Sequence, residues 1–310
     1  MLSQLQRTKY KKNGGNKYQV DCSFISNNPK NIHIENMIRN KNDISILTAF
    51  IDNPKIITKH KHIVIKIGKE NKTIEKEYTI GIALNKEKLV GFIQFICLFD
   101  CFDDTNKTDL IPINGICNGE QKQENKKNVL IMPFFVDGSI KNYNWLKDKF
   151  IILKSLLQQA IMSIFIAYHK LGFLHGDLHL DNILMKRTTK NNLCYECDGI
   201  QKQIDTNGYK IAIMDFDSSW IGVDKKKCIE FYWLNIYNML SRVSIDLTNH
   251  NSDKIGLDNN IKILLFITKQ KDNKTDCINT LKLLNMIDDA EIQITKNPFD
   301  NLKYDPTVFG

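Results

Sequence analysis

Several polar side chains stand among leucines and isoleucines in the stretch FLHGDLHLDNILM, residues 173–185. The residues able to take part in chemistry there are His175, Asp177, His179 and Asn182. An aspartate can accept a proton from a hydroxyl group, and a carboxamide oxygen is a hard ligand of the kind that suits Mg²⁺. The stretch therefore indicates a catalytic loop, and the simpler interpretation is a polar turn that follows a helix.

Two further chargeable residues lie in predicted β-strands. Lys66 interrupts the β-branched segment IVIKI (63–67), whose alternating side chains predict a strand. Taken alone, such a lysine is more often a residue that protects the edge of a sheet. Asp215 ends the segment KIAIMD (210–215), and ligands commonly bind at such positions in mixed α/β structures. Asp215 is therefore a candidate ligand residue.

A glutamate stands on the apolar face of the first predicted helix, residues 73–85. At about 100° per residue, Glu77 shares a face with Leu84, while Glu75 falls on the opposite side as a surface carboxylate. A buried carboxylate without a cationic partner is costly. We therefore expect Glu77 to pair with Lys66, which lies just upstream.

The remaining apolar patterns predict the elements that position these residues. They are strands at 89–98 and 129–135, a long buried helix at 145–170, and helices at 228–243 and 261–269. Residues 187–209 form a polar insert, in which we interpret Cys194 and Cys197 as two loop thiols rather than a zinc site.

The spacing H-x-D-x-x-x-x-N, from His175 to Asn182, resembles the catalytic loop of protein kinases. The HGDxHxxN form is also similar to the loop of aminoglycoside and choline kinases. Asp215 and Phe216 match the first two positions of the kinase Asp-Phe-Gly motif. With the strand lysine and helix glutamate ahead of them, the order resembles that of the protein-kinase-like superfamily over about residues 45–245.

This resemblance implies a two-lobed α+β fold. Residues 1–44 would form a polar N-terminal arm. Residues 45–135 would form a small lobe with an antiparallel β-sheet and one helix, and residues 136–310 an abbreviated, mainly α-helical lobe. The nucleotide would bind between the two lobes.

The resemblance also implies that the cofactors are ATP and Mg²⁺. Lys66, positioned by Glu77, would bind the α- and β-phosphates. Asn182 and Asp215 would hold Mg²⁺ through hard oxygen atoms. Asp177 would orient the substrate hydroxyl for in-line attack and accept its proton.

The same resemblance assigns a phosphate contact and an adenine site. His179 stands where protein kinases usually carry a lysine aimed at the transferred phosphate, and a histidine can donate a hydrogen bond there. The segment VLIMPFF (129–135) is similar to the strand and linker beside the adenine, with Met132 as gatekeeper. The adenine would bond to the Pro133 carbonyl and the Phe135 N–H. The simpler interpretation is a strand that leads into a turn.

Several positions depart from the family pattern. Residues 35–66 contain no glycine, so no glycine-rich phosphate loop directly precedes the strand lysine. Gly176 replaces the arginine with which many protein kinases sense a phosphorylated activation loop, and Asp217 replaces the last glycine of Asp-Phe-Gly. No Ala-Pro-Glu motif follows. We therefore expect no activation-loop phosphorylation switch.

The composition, with 42% hydrophobic and 25% charged residues, is that of a globular protein. The net charge of +8 is spread over scattered lysines, so we expect no nucleic-acid binding. The N-terminus lacks the apolar core of a signal peptide, and we expect an intracellular protein without a membrane span. The Asn, Lys and Ile bias resembles kinases of large DNA viruses, which implies the host cytoplasm or the virion.

Three functions remain open from the sequence. A serine/threonine protein kinase with an unidentified protein substrate is favoured, because the residues for proton acceptance and metal binding are all present. A phosphotransferase for a small alcohol or an aminoglycoside is the second, favoured by Gly176 and His179. The third is a pseudokinase, a binding module that uses the fold to hold a partner, favoured by the missing glycine-rich loop.

Overall fold

The computed structural model describes the chain in separate segments. They are residues 32–41, 44–51, 62–69, 72–102, 126–143, 150–197, 200–240, 243–244, 276–288 and 293–294. These segments contain a five-stranded antiparallel sheet, smaller two-stranded sheets and four helices. The prediction of the α+β class is confirmed, and the arrangement is compatible with a kinase-like fold.

An antiparallel sheet with strand order β1-β2-β3-β5-β4 dominates the first half of the described chain. Its strands are β1 (Ile32–Lys41), β2 (Ile44–Ile51), β3 (His62–Lys69), β4 (Cys97–Phe102) and β5 (Lys126–Pro133). Strand β3 lies between β2 and β5, at the centre of the sheet. The interpretation of Lys66 as an edge-strand residue is therefore wrong.

The two faces of β3 separate as its sequence predicts. Ile63, Ile65 and Ile67 are buried together in a small cluster on one side of the sheet. Val64 packs against the main core on the other side, and Lys66 is also buried. Because side chains alternate along a strand, the lysine faces the side of the sheet that carries Val64.

Part of the predicted N-terminal arm belongs to this sheet. Strand β1 falls within residues 1–44 and pairs with β2 along its length. The register shifts between Ile34 and Asn36 and again between Met37 and Arg39. Such irregularities interrupt the alternation of polar and apolar residues that marks a strand, which explains why the sequence pattern indicated a polar arm.

Helix α1 (Lys72–Lys86) lies against β5. Its buried apolar residues are Ile74, Ile80 and Leu84. Glu75 departs from the prediction of a surface carboxylate, because its Oε1 atom accepts a hydrogen bond of 3.0 Å from Nδ2 of Asn128. Asn128 is buried on β5, and a buried amide needs such an acceptor.

The prediction of a strand at 89–98 is wrong for most of its length. After α1 the chain turns at Gly91, which has a φ of 88°. Phe92 forms an isolated parallel bridge with Ile213, and β4 begins only at Cys97. Apolar residues of this segment pack into the main core rather than continuing a strand, namely Leu89, Phe92, Ile93 and Phe95. The segment thereby joins the sheet to the second half of the chain.

The second half is built around the long helix α2 (Phe150–Leu171), most of which is buried as predicted. The candidate catalytic loop follows it and ends in a short 3₁₀ turn at Leu180–Asn182. Strand β6 (Ile183–Arg187) comes next and pairs antiparallel with a later strand at Tyr209–Ile213. This pairing brings the end of the loop beside the residues that follow the later strand. The predicted helix residues 145–149 lie outside the described residues.

The predicted polar insert at 187–209 contains a β-hairpin. Its strands are β7 (Asn192–Cys197) and β8 (Ile200–Asp205), and the strand at Tyr209–Ile213 is therefore β9. Leu193, Tyr195 and Ile204 are buried in the core. Apolar residues alternate with polar ones along these strands, so the average composition of the insert is polar. Cys194 lies on an exposed side of β7 rather than in a loop.

Two helices and a small sheet complete the described chain. They are α3 (Lys225–Leu240), β10 (Val243–Ser244), α4 (Asp276–Asp288) and β11 (Gln293–Ile294). Helix α3 begins and ends three residues before the predicted range 228–243. The predicted helix at 261–269 lies outside the described residues.

One stretch in the described part of the chain, Ile151–Leu171, has the length and composition of a membrane span. Its residues are mostly apolar, and most of them are buried within the protein. Core helices of water-soluble proteins have the same properties, so this stretch is weak evidence for a membrane span. The absence of a membrane span stays a prediction.

Candidate active site

The central strand and the first helix bring a cation and an anion together. Nζ of Lys66 on β3 lies 2.7 Å from Oε2 of Glu77 on α1. The two side chains expose 8% and 2% of their surface. Separating such a pair would leave a buried charge without a partner, so the contact resists movement of α1 away from β3.

Lys66 has a second anionic partner from much later in the chain. Its Nζ lies 2.9 Å from Oδ1 of Asp215, which follows β9. Burial by itself lowers the pKa of the Lys66 ammonium, but the two carboxylates outweigh burial and raise the pKa above its usual value. Burial raises the pKa of the Glu77 carboxyl, and the attraction of Lys66 opposes that rise. The lysine therefore remains charged at neutral pH.

Asp215 has an uncommon backbone conformation. Its φ is 65°, in the left-handed region that residues other than glycine seldom adopt. The preceding residue is held in place, because the Met214 N–H donates a hydrogen bond of 3.0 Å to the Asn182 carbonyl. Strained residues of this kind persist only where their surroundings hold them, and they cluster at functional sites.

The residue after Asp215 anchors it in the core. Phe216 is fully buried, and four rings surround it with centroid distances of 5.9 to 6.2 Å. The surrounding rings belong to Phe92, Phe95, Phe173 and His175. This aromatic cluster fixes the backbone that carries Asp215 at the place where Lys66 meets it.

His175 fastens the candidate catalytic loop to the same backbone. The ring is completely buried, and its Nε2 atom lies 2.9 Å from the Met214 carbonyl oxygen. The Asp177 N–H donates to its Nδ1 atom at 3.4 Å. Burial lowers the pKa of His175, so the ring is neutral and carries its proton on Nε2 as the donor to Met214.

Three loop residues form a hydrogen-bonded group beside this anchor. Nδ2 of Asn182 donates to the Asp177 carbonyl at 3.0 Å and to Nε2 of His179 at 3.2 Å. Oδ2 of Asp177 lies 3.4 Å from the same His179 nitrogen. Both described hydrogen bonds of the Asn182 side chain use its nitrogen, so the carboxamide oxygen stays suited to a cation. The Asp177 side chain exposes 58% of its surface to solvent.

A second carboxylate flanks the histidine of the loop. Oδ2 of Asp181 lies 3.7 Å from Nδ1 of His179 and 2.9 Å from Nζ of Lys141. Nε2 on the other side of the ring faces Asp177. The histidine is thus held between two aspartates.

Strand pairing explains why the candidate metal ligands lie together. Ile183 of β6 pairs with Ile213 of β9, so Asn182 precedes one strand where Asp215 follows the other. Within the described part of the chain, no group of three or more His, Cys, Asp or Glu side chains is arranged to hold a metal. One carboxamide and one carboxylate fit Mg²⁺, which takes few protein ligands and completes its shell with phosphate and water oxygens.

The predicted adenine segment forms the end of β5. Met132 pairs across the sheet with Val64 and is buried. Pro133 is the last residue of β5, and the Gly138 N–H donates to the Phe135 carbonyl at 3.0 Å as the chain turns. Both the strand and the turn are present, and the contacts of this segment with adenine stay a prediction.

The structure supplies a reason for Gly176 that the sequence did not. Its φ is 79°, and a Cβ atom there would overlap the Ser218 carbonyl. Its N–H donates to Oδ1 of Asn235 on α3 at 3.1 Å. Asn235 was not predicted as a site residue, although a buried amide inside an apolar helix is a signal that could have drawn attention to it.

No family model matches the chain. The chain is 29% identical over 110 residues to the uncharacterized protein ZK177.2 of Caenorhabditis elegans, which covers 36% of each chain. It is 38% identical over 66 residues to the serine/threonine-protein kinase haspin of Bos taurus, or 21% of this chain and 8% of haspin. It is 37% identical over 81 residues to the uncharacterized protein 098R of Invertebrate iridescent virus 6, or 23% of this chain and 12% of the viral protein.

The chain is similar to haspin kinases over about a fifth of its length. This similarity supports a protein-kinase-like relationship, in agreement with the resemblance seen in the loop and strand motifs. The aligned region spans far less than two thirds of each relative's length. The similarity to haspin therefore supports a kinase-like phosphotransferase, but it does not identify the substrate.

Proposed function

We propose that this protein is an ATP-dependent phosphotransferase with a two-lobed kinase-like fold, acting on serine or threonine hydroxyls of proteins. The observation that carries the proposal is the buried ammonium of Lys66, which lies 2.7 Å from Glu77 and 2.9 Å from Asp215. Asp215 is 149 residues away in sequence. A cation held by one helix carboxylate and one loop carboxylate is suited to bind phosphate while the helix carboxylate keeps it in place.

In this proposal the nucleotide phosphates bind to Lys66, and Glu77 maintains the direction of its side chain. Asn182 and Asp215 would hold Mg²⁺ through the carboxamide and carboxylate oxygens. When bound, the metal supplies positive charge that offsets the charge of the transferred phosphoryl group. The adenine would lie beside Met132, as the resemblance implies.

The proposed adenine contacts use the backbone that follows the gatekeeper. The Pro133 carbonyl would accept from the adenine amino group, and the Phe135 N–H would donate to the ring. Proline suits this position because only its carbonyl is required. These contacts support nucleotide binding without contributing to phosphoryl transfer itself.

Asp177 is the proposed catalytic residue. Its backbone carbonyl is held by Asn182, and its exposed carboxylate can accept the proton of a substrate hydroxyl. The hydroxyl oxygen forms a bond to the γ-phosphorus as the bond to the ADP oxygen breaks, and ADP leaves. His179, 3.4 Å from the carboxylate, would contact the transferred group.

Two observations favour a protein substrate. The match of Asp215 and Phe216 to the protein-kinase motif is one, and the similarity to haspin, a serine/threonine-protein kinase, is the other. The exposed Asp177 carboxylate is also accessible to a hydroxyl on a large molecule.

Label transfer by the purified full chain tests this proposal. The chain is incubated with Mg²⁺ and labelled ATP, and generic basic and acidic proteins are supplied beside choline and an aminoglycoside. We expect label on serine or threonine of a protein, and about 10²- to 10⁴-fold less with Asp177→Asn, because the proton acceptor is lost. Label on the small alcohols alone would favour the second function. Binding of Mg–ATP without transfer would favour a pseudokinase.

A further inference from the structure

A single lysine joins helix α1 to the segment that follows Asp215. Nζ of Lys76 donates a hydrogen bond of 2.9 Å to the Asp217 carbonyl oxygen. The same ammonium lies 4.9 Å from the ring centroid of Trp220, within the range of a cation–π contact. Lys76 therefore contacts this segment at two points.

The segment is itself fastened to the candidate catalytic loop. Leu174 and Trp220 exchange two backbone hydrogen bonds, of 3.0 and 2.8 Å. Oγ of Ser219 donates to the His175 carbonyl at 2.8 Å. These bonds hold the segment in place. The ammonium of Lys76 therefore contacts a segment whose position is fixed by other hydrogen bonds.

Lys76 directly precedes Glu77 on α1. The two side chains leave the helix about 100° apart, so one reaches the segment while the other reaches Lys66. A rotation of α1 that withdrew Glu77 from Lys66 would also carry Lys76 away from the Asp217 carbonyl. Both contacts therefore oppose the same movement of the helix.

We propose that Lys76 is a positioning residue, which holds α1 in the orientation where Glu77 meets Lys66. The proposal rests on the proposed function, in which that ion pair orients the nucleotide phosphates. The contact between Lys76 and the Asp217 carbonyl involves no phosphate group. This agrees with the sequence, in which Gly176 replaces the arginine that senses a phosphorylated activation loop in many protein kinases. Orientation of α1 is then set by an ammonium and a backbone carbonyl that are both permanent parts of the chain.

The test compares Lys76→Met with Lys76→Arg in the full chain, with Lys86→Met as a matched control. Lys86 is exposed in the last turn of the same helix. Hydrogen exchange of residues 72–86 reports how readily α1 opens, and titration with Mg–ATP reports nucleotide affinity. We expect Lys76→Met to speed exchange and weaken Mg–ATP binding by about tenfold each, as loss of one charged hydrogen bond implies. Arginine should restore most of both, and the control should match the wild type.

Unchanged exchange and unchanged Mg–ATP affinity in Lys76→Met would overturn the proposal. Failure of the wild type to bind Mg–ATP would instead overturn the proposed function, and the exchange comparison would still decide the role of Lys76. Trp220→Leu provides a second variant, since it removes the ring contact and leaves the bond to Asp217. It should speed exchange of α1 by a smaller factor, and unchanged exchange there would count against the proposal.

Discussion

Single residues of the site differ in how far they support the fold. Lys66 is buried between two carboxylates, whereas the Asp177 side chain is more than half exposed. Removing the lysine leaves the buried Glu77 carboxylate without its partner, while altering the exposed Asp177 side chain should change the stability of the fold little. Substitutions at the two positions should therefore affect stability and activity in different proportions.

Lys66→Met should lower the free energy of unfolding by about 3–5 kcal/mol, the cost of breaking a buried ion pair from one side. The double variant with Glu77→Gln should lose less than the sum of the two single variants, because neither charge is then left alone. Urea unfolding measures all three, and Asp177→Asn serves as a control that should unfold like the wild type. Strict additivity of the two substitutions would contradict the buried pair.

His175 should make the protein less stable in acid. Burial lowers the pKa of the ring, so the folded chain keeps it neutral while the unfolded chain takes up a proton below about pH 6.5. Stability from this residue is present above that pH and is lost as the pH falls below it. His175→Gln, which retains an N–H donor, should unfold in urea with a smaller loss of stability from pH 7 to pH 5.

A matched substitution of the exposed His33 controls for the loss of one histidine. Each proton taken up only by the unfolded chain changes the slope of the free energy of unfolding against pH by about 1.4 kcal/mol per pH unit. This value is the upper limit for one residue. An equal pH slope in His175→Gln and the wild type would argue against a neutral buried ring.

At the scale of elements, helix α1 packs closely against Phe95 because Gly81 has no side chain. A Cβ atom at Gly81 would overlap the ring of Phe95, which lies 5.9 Å from the ring of Phe216. The glycine therefore lets an aromatic ring pass between α1 and the residue beside Asp215. The Phe95 ring is thus packed between Gly81 of α1 and Phe216, the neighbour of Asp215.

Gly81→Ala should destabilise the protein although alanine favours helices. The gain in helix propensity is about 1 kcal/mol, and overpacking against the Phe95 ring costs about 1–3 kcal/mol. Adding Phe95→Leu should recover part of the loss, because a smaller side chain makes room for the methyl group. Urea unfolding measures the effect, with Thr79→Ala on the exposed face of α1 as control. A more stable Gly81→Ala variant would contradict this packing.

At the scale of the whole molecule, polar contacts and packed aromatic rings join the sheet to the helical half. Among them are the ion pair of Lys66 with Asp215, the hydrogen bond of Lys76 to Asp217, and the bridge between Phe92 and Ile213. The first two lie where the nucleotide is proposed to bind. A ligand that contacts both halves there should therefore stabilise the molecule as a unit.

Mg–ATP should stabilise the chain against heat and urea. A ligand at a hundred times its dissociation constant adds about 2.7 kcal/mol to the free energy of unfolding, which a thermal shift detects readily. Chelation of the metal with EDTA should remove most of this gain, and Asp215→Asn should do the same without added chelator. A full shift in EDTA would show that nucleotide binding does not use the metal.

Much of the site could be predicted because its residues break local patterns. Glu77 on an apolar helix face required a buried cation, and Lys66 inside an apolar strand was an available one. The spacing from His175 to Asn182 is short enough for one loop to hold it. The structure brings these residues together, while their roles toward ATP and Mg²⁺ stay predictions.

The sequence by itself determined the face on which Glu77 lies and the loop that carries Asp177, because each follows from short-range periodicity or spacing. The α+β class followed from the resemblance of the motifs to the protein-kinase-like superfamily. Only the tertiary structure decided that Lys66 lies in a central strand and that β1 joins the sheet. It also decided that Gly176 lies too close to the Ser218 carbonyl for a side chain to fit. The reason is physical. The contact of Lys66 with Asp215 joins residues that are 149 positions apart. A short sequence pattern does not predict which distant residues will pack together.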